Sequence, residues 1–304
     1  MRDFSGDHGW LSINTATVRK SSGVELPLPQ IIEACARRGI RAISPWRDQV
    51  ASAGLATVSK LVRDHGLALS GYCRGGMFPA IDQAGRQAAR DDNRRAVDEA
   101  RELGAACLVL VVGGLPGALA GRAAHKDIAL SRSQVTDGIA ELLEYSRSAR
   151  MPLAIEPLHP MYAADRACIN TLEQALDLCE QLDPLSTGAD AGADGTTQPA
   201  ALGVAVDVYH VWWDPKLQSQ IERAGRARQM ALHVCDWLTP TVDLLNDRGM
   251  MGDGVIDIAR IRGWMEDNGF AGFSEVEIFS SANWWQREHG EVLDTCIARH
   301  RSAV

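Results

Sequence analysis

The chain lacks the sequence features of several protein classes. Its seven cysteines form no Cys-x-x-Cys pair, so a structural zinc site is disfavoured, and we expect small buried thiols in a reduced cytoplasm. No run approaches the ~18 apolar residues of a membrane span, and the first residues contain no apolar signal core. Lysine and arginine form no block, and the net charge of -8 disfavours a nucleic-acid partner, because phosphate binding needs a positive surface. We therefore expect a cytoplasmic protein with no membrane and no nucleic-acid partner.

Strand-like runs alternate with helix-like runs along the 304 residues. Strict alternation predicts a parallel sheet, and eight strands predict closure into a barrel whose interior side chains can fill. The strand candidates are Trp10–Thr15, Arg41–Pro45, Leu67–Cys73, Ala106–Val112, Pro152–Leu158, Gly203–Tyr209, Met230–Cys235 and Phe273–Phe279. Helical spacing is clear in Leu28–Arg38, Asp82–Leu103, Gln134–Ala149, Leu172–Leu182 and Ile256–Asn268.

The predicted fold class is α/β, a single (β/α)8 TIM barrel, with one domain over residues 1–304. The segment at about 184–201 is rich in glycine, alanine, aspartate and threonine, so we interpret it as a flexible loop insertion. A doubly wound open sheet is an alternative, but Gly113-Gly114 follows the fourth strand and lacks the spacing of a dinucleotide-binding turn. Two domains are a further alternative, although no linker is evident.

Metal-binding side chains end the last four predicted strands: Glu156, Asp207, His233 and Glu277. The carboxyl ends of barrel strands gather around one axis, and side chains alternate inward and outward along a strand. All four residues have the inward phase, and so does Glu275. We therefore expect the four to converge on one ion, since isolated buried carboxylates are costly and a cation compensates them. The alternative for each acid is the start of a loop or a pair with an arginine.

Three carboxylates and one imidazole suit a single divalent cation. This donor set favours Mn²⁺, with Mg²⁺, Co²⁺ or Zn²⁺ as alternatives. Three carboxylates and a divalent ion leave about one net negative charge, which tolerates a neutral polyol or hydroxyketone as a further ligand.

The motifs around these residues resemble the sugar phosphate isomerase/epimerase family of the xylose isomerase-like TIM barrel superfamily (AP endonuclease family 2). The resemblance covers nearly the whole chain and is strongest in Ala-Ile-Glu156-Pro-Leu-His159, Val-Asp207-Val-Tyr-His210, Leu-His233-Val-Cys-Asp236 and Glu275-Val-Glu277-Ile-Phe279. It implies that Glu156, Asp207, His233 and Glu277 bind one metal ion. It also implies that Glu156 and Glu277 exchange protons with carbons beside a carbonyl, and that His210 and Arg248 face the substrate.

Two departures from the resembling proteins argue against two narrower assignments: an epimerase with a further acid beside the first glutamate, and a nuclease with a three-metal cluster. Some epimerases of the group carry a further acid six residues after the first glutamate, where this chain has Tyr162. The nuclease branch needs extra histidines from earlier strands for a three-metal cluster, but Cys73-Arg74 and Gly113-Gly114 stand at those strand ends.

Other residues beyond the strand ends are candidates for substrate binding. Trp46 could stack on a sugar face, Arg74 could bind a hydroxyl, carboxylate or phosphate, and His159 could reach the substrate. The alternatives are simple packing for Trp46, a solvated loop position for Arg74, and support of a neighbouring side chain for His159.

These observations together predict a metal-dependent isomerase or epimerase of a small keto sugar or related polyol. Such an enzyme abstracts a proton beside a carbonyl through a metal-stabilised enediolate. A metal-dependent lyase or dehydratase acting on a 3-keto sugar or inosose is the alternative, because the same ligands serve both outcomes. A sugar-binding subunit without turnover is a third alternative, and the resemblance suggests a homodimer or homotetramer.

Overall fold

Parallel strands form a nearly closed barrel in the computed structural model, which describes residues 2–185 and 200–304. The strands, numbered here as barrel strands, are β1 Leu11–Asn14, β2 Ala42–Ser44, β3 in two pieces (Ala68–Leu69 and Tyr72–Gly76), β4 Leu108–Val111, β5 Leu153–Ile155, β6 Leu202–Asp207, β7 Gln229–Val234 and β8 Ser274–Val276. Successive strands pair in parallel, and β8 returns to β1 with Ser274 opposite Leu11. The predicted α/β barrel is thus confirmed.

The third strand differs from the prediction, because Ser70 and Gly71 interrupt it. Its first piece pairs with β2 and its second piece pairs with β4. The two pieces also reach across the break, since the amide of Cys73 donates to Pro45 O at 3.1 Å and the amide of Ala106 donates to Leu69 O at 3.0 Å. The break turns the Ser70 hydroxyl inward, where it contacts Ser12 Oγ at 2.7 Å. A single interrupted strand therefore completes the ring.

Helices follow most strands and cover the outside of the barrel. Their bounds are α1 Leu28–Arg37, α2 Arg47–Ala53, α3 Leu55–Asp64, α4 Gln83–Leu103, α5 Ile128–Ala149, α6 Leu172–Leu182, α7 Val208–Val211, α8 Leu217–Arg228, α9 Ile258–Asp267 and α10 His289–Ala303.

Capping side chains explain where two of these helices begin. α6 has the predicted bounds, because Thr171 accepts a hydrogen bond from the amide of Gln174 at 3.2 Å and the Gln174 side chain accepts one from Asn170 N at 2.8 Å. α5 begins six residues before the predicted Gln134, at Ile128. Asp127 caps it there, and the first turn is largely exposed, so it carries little apolar periodicity.

Small side chains fill the inside of the barrel, and larger ones pack outside. Outward residues of the strands, such as Val204, Leu232 and Val276, join the core beneath the helices. The inward side chains form a separate cluster: Cys73, Cys107, Val109, Ala154, Ala205 and Ala231. Because these side chains are short, they form a low floor and leave room above it at the carboxyl ends of the strands.

Four other expectations concern the loop insertion, the domain organisation, membrane spans and the cysteines. Most of the loop insertion at about 184–201 lies outside the described residues, and the single-domain organisation stays a prediction. None of the helices in the two described ranges has the length and apolar composition that crossing a membrane requires. All seven cysteines are buried free thiols, as the sequence indicated.

Candidate metal centre

The four predicted metal ligands meet at the carboxyl end of the barrel. Glu156 directly follows β5, Asp207 ends β6, His233 is the penultimate residue of β7 and Glu277 directly follows β8. One donor atom from each residue lies within 4.8 Å of the donor atoms of the other three, and all four side chains are buried. The structure therefore brings together residues that are separated by up to 121 positions in the sequence.

Strand pleating places these side chains in one layer above the barrel floor. Ala154, Ala205 and Ala231 precede a ligand by two residues, so each points inward directly beneath it. The eighth strand differs, because its corresponding residue is Glu275, which lies opposite His233 in the sheet. A fifth buried acidic or imidazole group thus lies under the centre.

His233 has its two ring nitrogens in different surroundings. Nδ1 lies 2.8 Å from Glu156 Oε1 and 3.9 Å from Glu277 Oε2, whereas Nε2 faces Glu275 Oε1 at 3.6 Å. Burial disfavours the charged ring, but the carboxylates of Glu275 and Glu156 outweigh it and raise the pKa of His233. The Nδ1 atom is therefore the one that faces the other donors.

A hydrogen-bond network holds Glu275 and Glu277 in place. The Asn14 amide group donates to Glu275 Oε1 at 2.8 Å and to Glu277 Oε1 at 3.0 Å, and the Ser70 hydroxyl donates to Glu275 Oε2 at 2.7 Å. The indole N–H of Trp46 donates to Asn14 Oδ1 at 2.7 Å, which fixes the amide orientation. Sequence reasoning missed Asn14, although its position at the end of β1 was a usable signal.

Arg248 contacts the ligands themselves. Its Nη1 donates to Asp207 Oδ2 at 2.9 Å and to Glu277 Oε2 at 3.0 Å, and its Nη2 donates to His210 Nε2 at 3.1 Å. The guanidinium is 3% exposed and lies 4.5 Å from the centre of the Tyr209 ring. Its predicted role as a substrate contact stays a prediction, and the structure adds that it pairs with two metal-ligand candidates.

The two carboxylates beside Arg248 have pKa values shifted in opposite directions. Burial alone would raise the pKa of Asp207, but the charge of Arg248 lowers it below the ordinary value. For Glu277, burial dominates over Arg248 and raises the pKa to about 8. The centre therefore combines one firmly ionised carboxylate with one that holds a proton near neutral pH.

His210 is a neutral hydrogen-bond donor at this site. Burial lowers its pKa to about 3, and Nε2 accepts from Arg248, which can only donate. The proton of the neutral ring therefore lies on Nδ1. This atom is buried and has no hydrogen-bond partner among the described residues.

A cavity opens to solvent beside the centre, at the carboxyl end of the barrel. Ligand sites of parallel barrels lie at this end. The residues that line it are Trp46, Arg74, Met77, Val111, Leu119, Glu156, Leu158, Tyr162, Arg166, His210, Leu245, Arg248, Glu277 and Phe279.

The cavity includes four of the five predicted substrate contacts and excludes one. Trp46, Arg74, His210 and Arg248 line it, with the Trp46 ring edge-on to Phe279, whereas His159 does not. The His159 ring packs instead on Trp237 at 5.0 Å and on Trp213 at 5.9 Å, and its Nδ1 accepts from the amide of Met161 at 3.3 Å. Substrate contact by His159 stays a prediction.

The residues of the centre fit a divalent cation. Three carboxylates offer hard oxygen donors and His233 offers a nitrogen. Counting Glu275, four buried carboxylates face the single buried guanidinium of Arg248 within the described residues of the centre. In the metal-free protein the raised pKa values of Glu277 and His233 indicate that protons offset part of this negative charge, and a doubly charged ion would take the place of those protons.

Comparison with known proteins agrees with this architecture. The family model described as "Xylose isomerase-like TIM barrel" matches residues 32–296. The structure of protein SMc04130 from Sinorhizobium meliloti 1021 is 55% identical, with a TM-score of 0.87 over 97% of this chain and 98% of that one. No curated protein sequence matches the chain.

Two more distant structures share the fold. The IolI protein, solved with a bound zinc atom, is 17% identical, with a TM-score of 0.73 over 94% of both chains. The 3-keto-D-glucoside 4-epimerase YcjR from E. coli is 14% identical, with a TM-score of 0.70 over 96% of this chain and 99% of that one.

Proposed function

The chain belongs to the xylose isomerase-like TIM barrel family, and from this premise we propose that it is a divalent-metal-dependent isomerase or epimerase of a small keto sugar or related polyol. The observation that carries the proposal is the convergence of four buried donor groups beside a cavity at the carboxyl end of the barrel. The epimerase named among the structural neighbours acts on a keto sugar, which supports the same substrate class for this chain.

Glu156, Asp207, His233 and Glu277 would hold the ion in this proposal. When bound, a divalent ion supplies positive charge that stabilises negative charge developing on substrate oxygens during proton abstraction. Oxygen-rich coordination favours Mn²⁺, whereas the zinc of the related IolI structure makes Zn²⁺ the main competitor. Elemental analysis of protein purified without added metal distinguishes the two.

Glu156 and Glu277 are the proposed proton-transfer groups. Both line the cavity, and neighbouring side chains hold both in place. Glu156 contacts His233, and Glu277 accepts hydrogen bonds from Asn14 and Arg248. In the metal-free protein burial raises the pKa of Glu277 to about 8. A bound divalent ion would lower this pKa, so Glu277 would be an ionised carboxylate that can accept a proton.

The neutral groups around the glutamates orient the substrate. The neutral ring of His210 lines the cavity beside Arg248, so it can contact the substrate without adding charge. Phe279 and Trp46 provide apolar surface beside the glutamates, and aromatic faces suit the carbon-bound hydrogens of a sugar.

The test is solvent exchange with matched variants. Protein loaded with Mn²⁺ is incubated in D₂O with a panel of neutral, carboxylated and phosphorylated ketoses, and recovered sugars are examined by NMR and mass spectrometry for deuterium and for new isomers. We expect deuterium beside the carbonyl with wild type, and a loss of about a hundredfold or more with Glu156→Gln or Glu277→Gln. Glu144→Gln, an exposed helix position, is the control and should match wild type.

Two results would redirect the proposal. Absence of solvent deuterium from every recovered sugar would count against an isomerase or epimerase. An unsaturated, ultraviolet-absorbing product from a 3-keto sugar or inosose, without interconverted sugar, would indicate the lyase or dehydratase instead. The predicted homodimer or homotetramer and cytoplasmic location are separate proposals, and light scattering tests the first.

A further inference from the structure

Two of the arginines that line the cavity beside the metal centre form no ion pair with a described carboxylate. Three arginines and two glutamates line this cavity. One of the arginines, Arg248, donates to both Asp207 and Glu277, so its charge is matched within the centre. The other two, Arg74 and Arg166, remain.

Arg74 has no acidic partner among the residues that the structure describes. It lies in the second piece of β3, is only partly exposed, and no carboxylate of the described chain lies within 4.0 Å of its guanidinium. The acids on the adjacent helix α4 are occupied, because Arg47 pairs with Asp92 at 2.9 Å and with Glu99 at 2.7 Å. Burial, followed by the nearby charge of Arg166, lowers the pKa of Arg74.

Arg166 is in a similar position on the opposite loop. It follows the short helical turn after β5, and its guanidinium lies 5.8 Å from the centre of the Tyr162 ring. Asp165 precedes it in the chain, and Asp243 on another loop uses Oδ1 to accept the amides of Leu245 and Asn246 at 2.8 and 2.9 Å. These amides, and after them the charge of Arg166, lower the pKa of Asp243. No ion pair forms between Arg166 and Asp243 or any other described acid.

Two guanidinium groups beside a largely apolar wall favour a negatively charged ligand. Leucines, methionine and aromatic rings make up most of the remaining lining, so water screens charges less there than at an open surface. Guanidinium groups bind carboxylate and phosphate oxygens through paired hydrogen bonds that are stronger than neutral ones.

We propose that the substrate carries an oxyanion group, a carboxylate or a phosphate, which Arg74 and Arg166 bind while its hydroxyketone part faces Glu156 and Glu277. This inference rests on the proposed function, because it assigns the second end of the same substrate. It narrows the substrate class from neutral keto sugars to acidic or phosphorylated ones.

Calorimetric titration of Mn²⁺-loaded protein with paired probes tests the proposal without turnover. One pair is xylitol and D-xylonate, and the other is D-xylulose and D-xylulose 5-phosphate. We expect the charged member of at least one pair to bind tenfold or more tightly than its neutral partner. The pair that shows the difference tells a carboxylate from a phosphate.

Variants then locate the binding groups. Arg74→Gln and Arg166→Gln should each weaken binding of the preferred anion about tenfold or more, while the affinities for Mn²⁺ and for the neutral probe stay unchanged. Arg74→Lys keeps the charge but loses the planar fork, so it should fall between wild type and the glutamine variant. Arg101→Gln, an exposed position on α4, is the matched control and should equal wild type.

Two outcomes overturn the inference. One is equal affinity for charged and neutral probes in both pairs. The other is a preference for the anion that survives in both glutamine variants, because a hydroxyacid would then be binding at the metal rather than at the arginines. Failure of the proposed function appears elsewhere, as absent deuterium exchange, so the two failures are distinguishable.

Discussion

Glu275 offers the sharpest test of how this centre is built, because it is a buried carboxylate that is not one of the four ligands. Its Oε1 lies 3.6 Å from His233 Nε2, while the opposite ring nitrogen faces the other donors. No hydrogen bond forms at this distance, but the charge of a carboxylate beside a ligating imidazole increases the basicity of that imidazole. We therefore predict that Glu275→Gln lowers Mn²⁺ affinity although every ligand remains.

The magnitude follows from the geometry. Glutamine has the same shape, so its carbonyl can accept from Asn14 and its amide can donate to Ser70, in place of the bonds at 2.8 and 2.7 Å. Only the charge beside His233 disappears, so the loss should be about tenfold, or ~1.4 kcal/mol. Glu275→Ala also removes the hydrogen bonds, and its loss should approach a hundredfold, or ~2.7 kcal/mol.

The assay is calorimetric titration of metal-stripped protein with Mn²⁺ at fixed pH, together with thermal melting of the metal-free form. The exposed Glu144→Gln serves as the control and should bind as wild type does. If Glu275→Gln binds Mn²⁺ within a factor of about two of wild type, the reasoning about the imidazole is wrong. A fall in affinity that merely follows a fall in the metal-free melting temperature would also refute it.

Three further predictions concern stability. His300 is fully buried against Phe4, and burial lowers its pKa to about 4. Its contribution to the free energy of unfolding is therefore complete above pH 6.5 and falls by ~1.4 kcal/mol per pH unit from 6.5 towards 4, because only the unfolded chain takes up the proton there. His300→Phe should lack this loss in urea unfolding. Arg248→Met should destabilise the metal-free protein by about 3–5 kcal/mol, because Asp207 keeps a buried charge without its guanidinium, and Mn²⁺ should restore part of that stability in thermal melts. Thr171→Ala removes the N-cap of α6 and should cost about 0.5–2 kcal/mol in urea unfolding without changing Mn²⁺ affinity.

Each stability prediction has its own contradicting result. A pH-independent difference between His300→Phe and wild type would show that the imidazole does not titrate as inferred, and taking the difference cancels the other acidic groups. Equal stabilisation of Arg248→Met and wild type by Mn²⁺ would show that the guanidinium does not compensate the carboxylates. A weaker Mn²⁺ affinity in Thr171→Ala would show that α6 and the metal centre are coupled.

The alternation of strands and helices could be predicted from the sequence because buried positions recur at short, regular spacings along a strand or a helix. Outward residues such as Val204 and Leu232 are apolar since they face helices, and this local pattern alone marks the strands. The interruption of β3 at Ser70 was not readable, because that serine contacts Ser12 and Glu275 on strands far away in the chain. The early start of α5 was missed because its first turn is largely exposed.

The sequence by itself determined which four side chains could form a metal centre, since strand phase and strand ends are local properties of Glu156, Asp207, His233 and Glu277. Only the tertiary structure decided what surrounds them. An arginine pairs with a metal-ligating carboxylate, or stays available for a substrate, according to which acids lie within a few ångströms after folding. Those acids come from distant strands and loops. For this reason Arg248 lies among the ligands, whereas Arg74 keeps an unmatched charge beside the cavity.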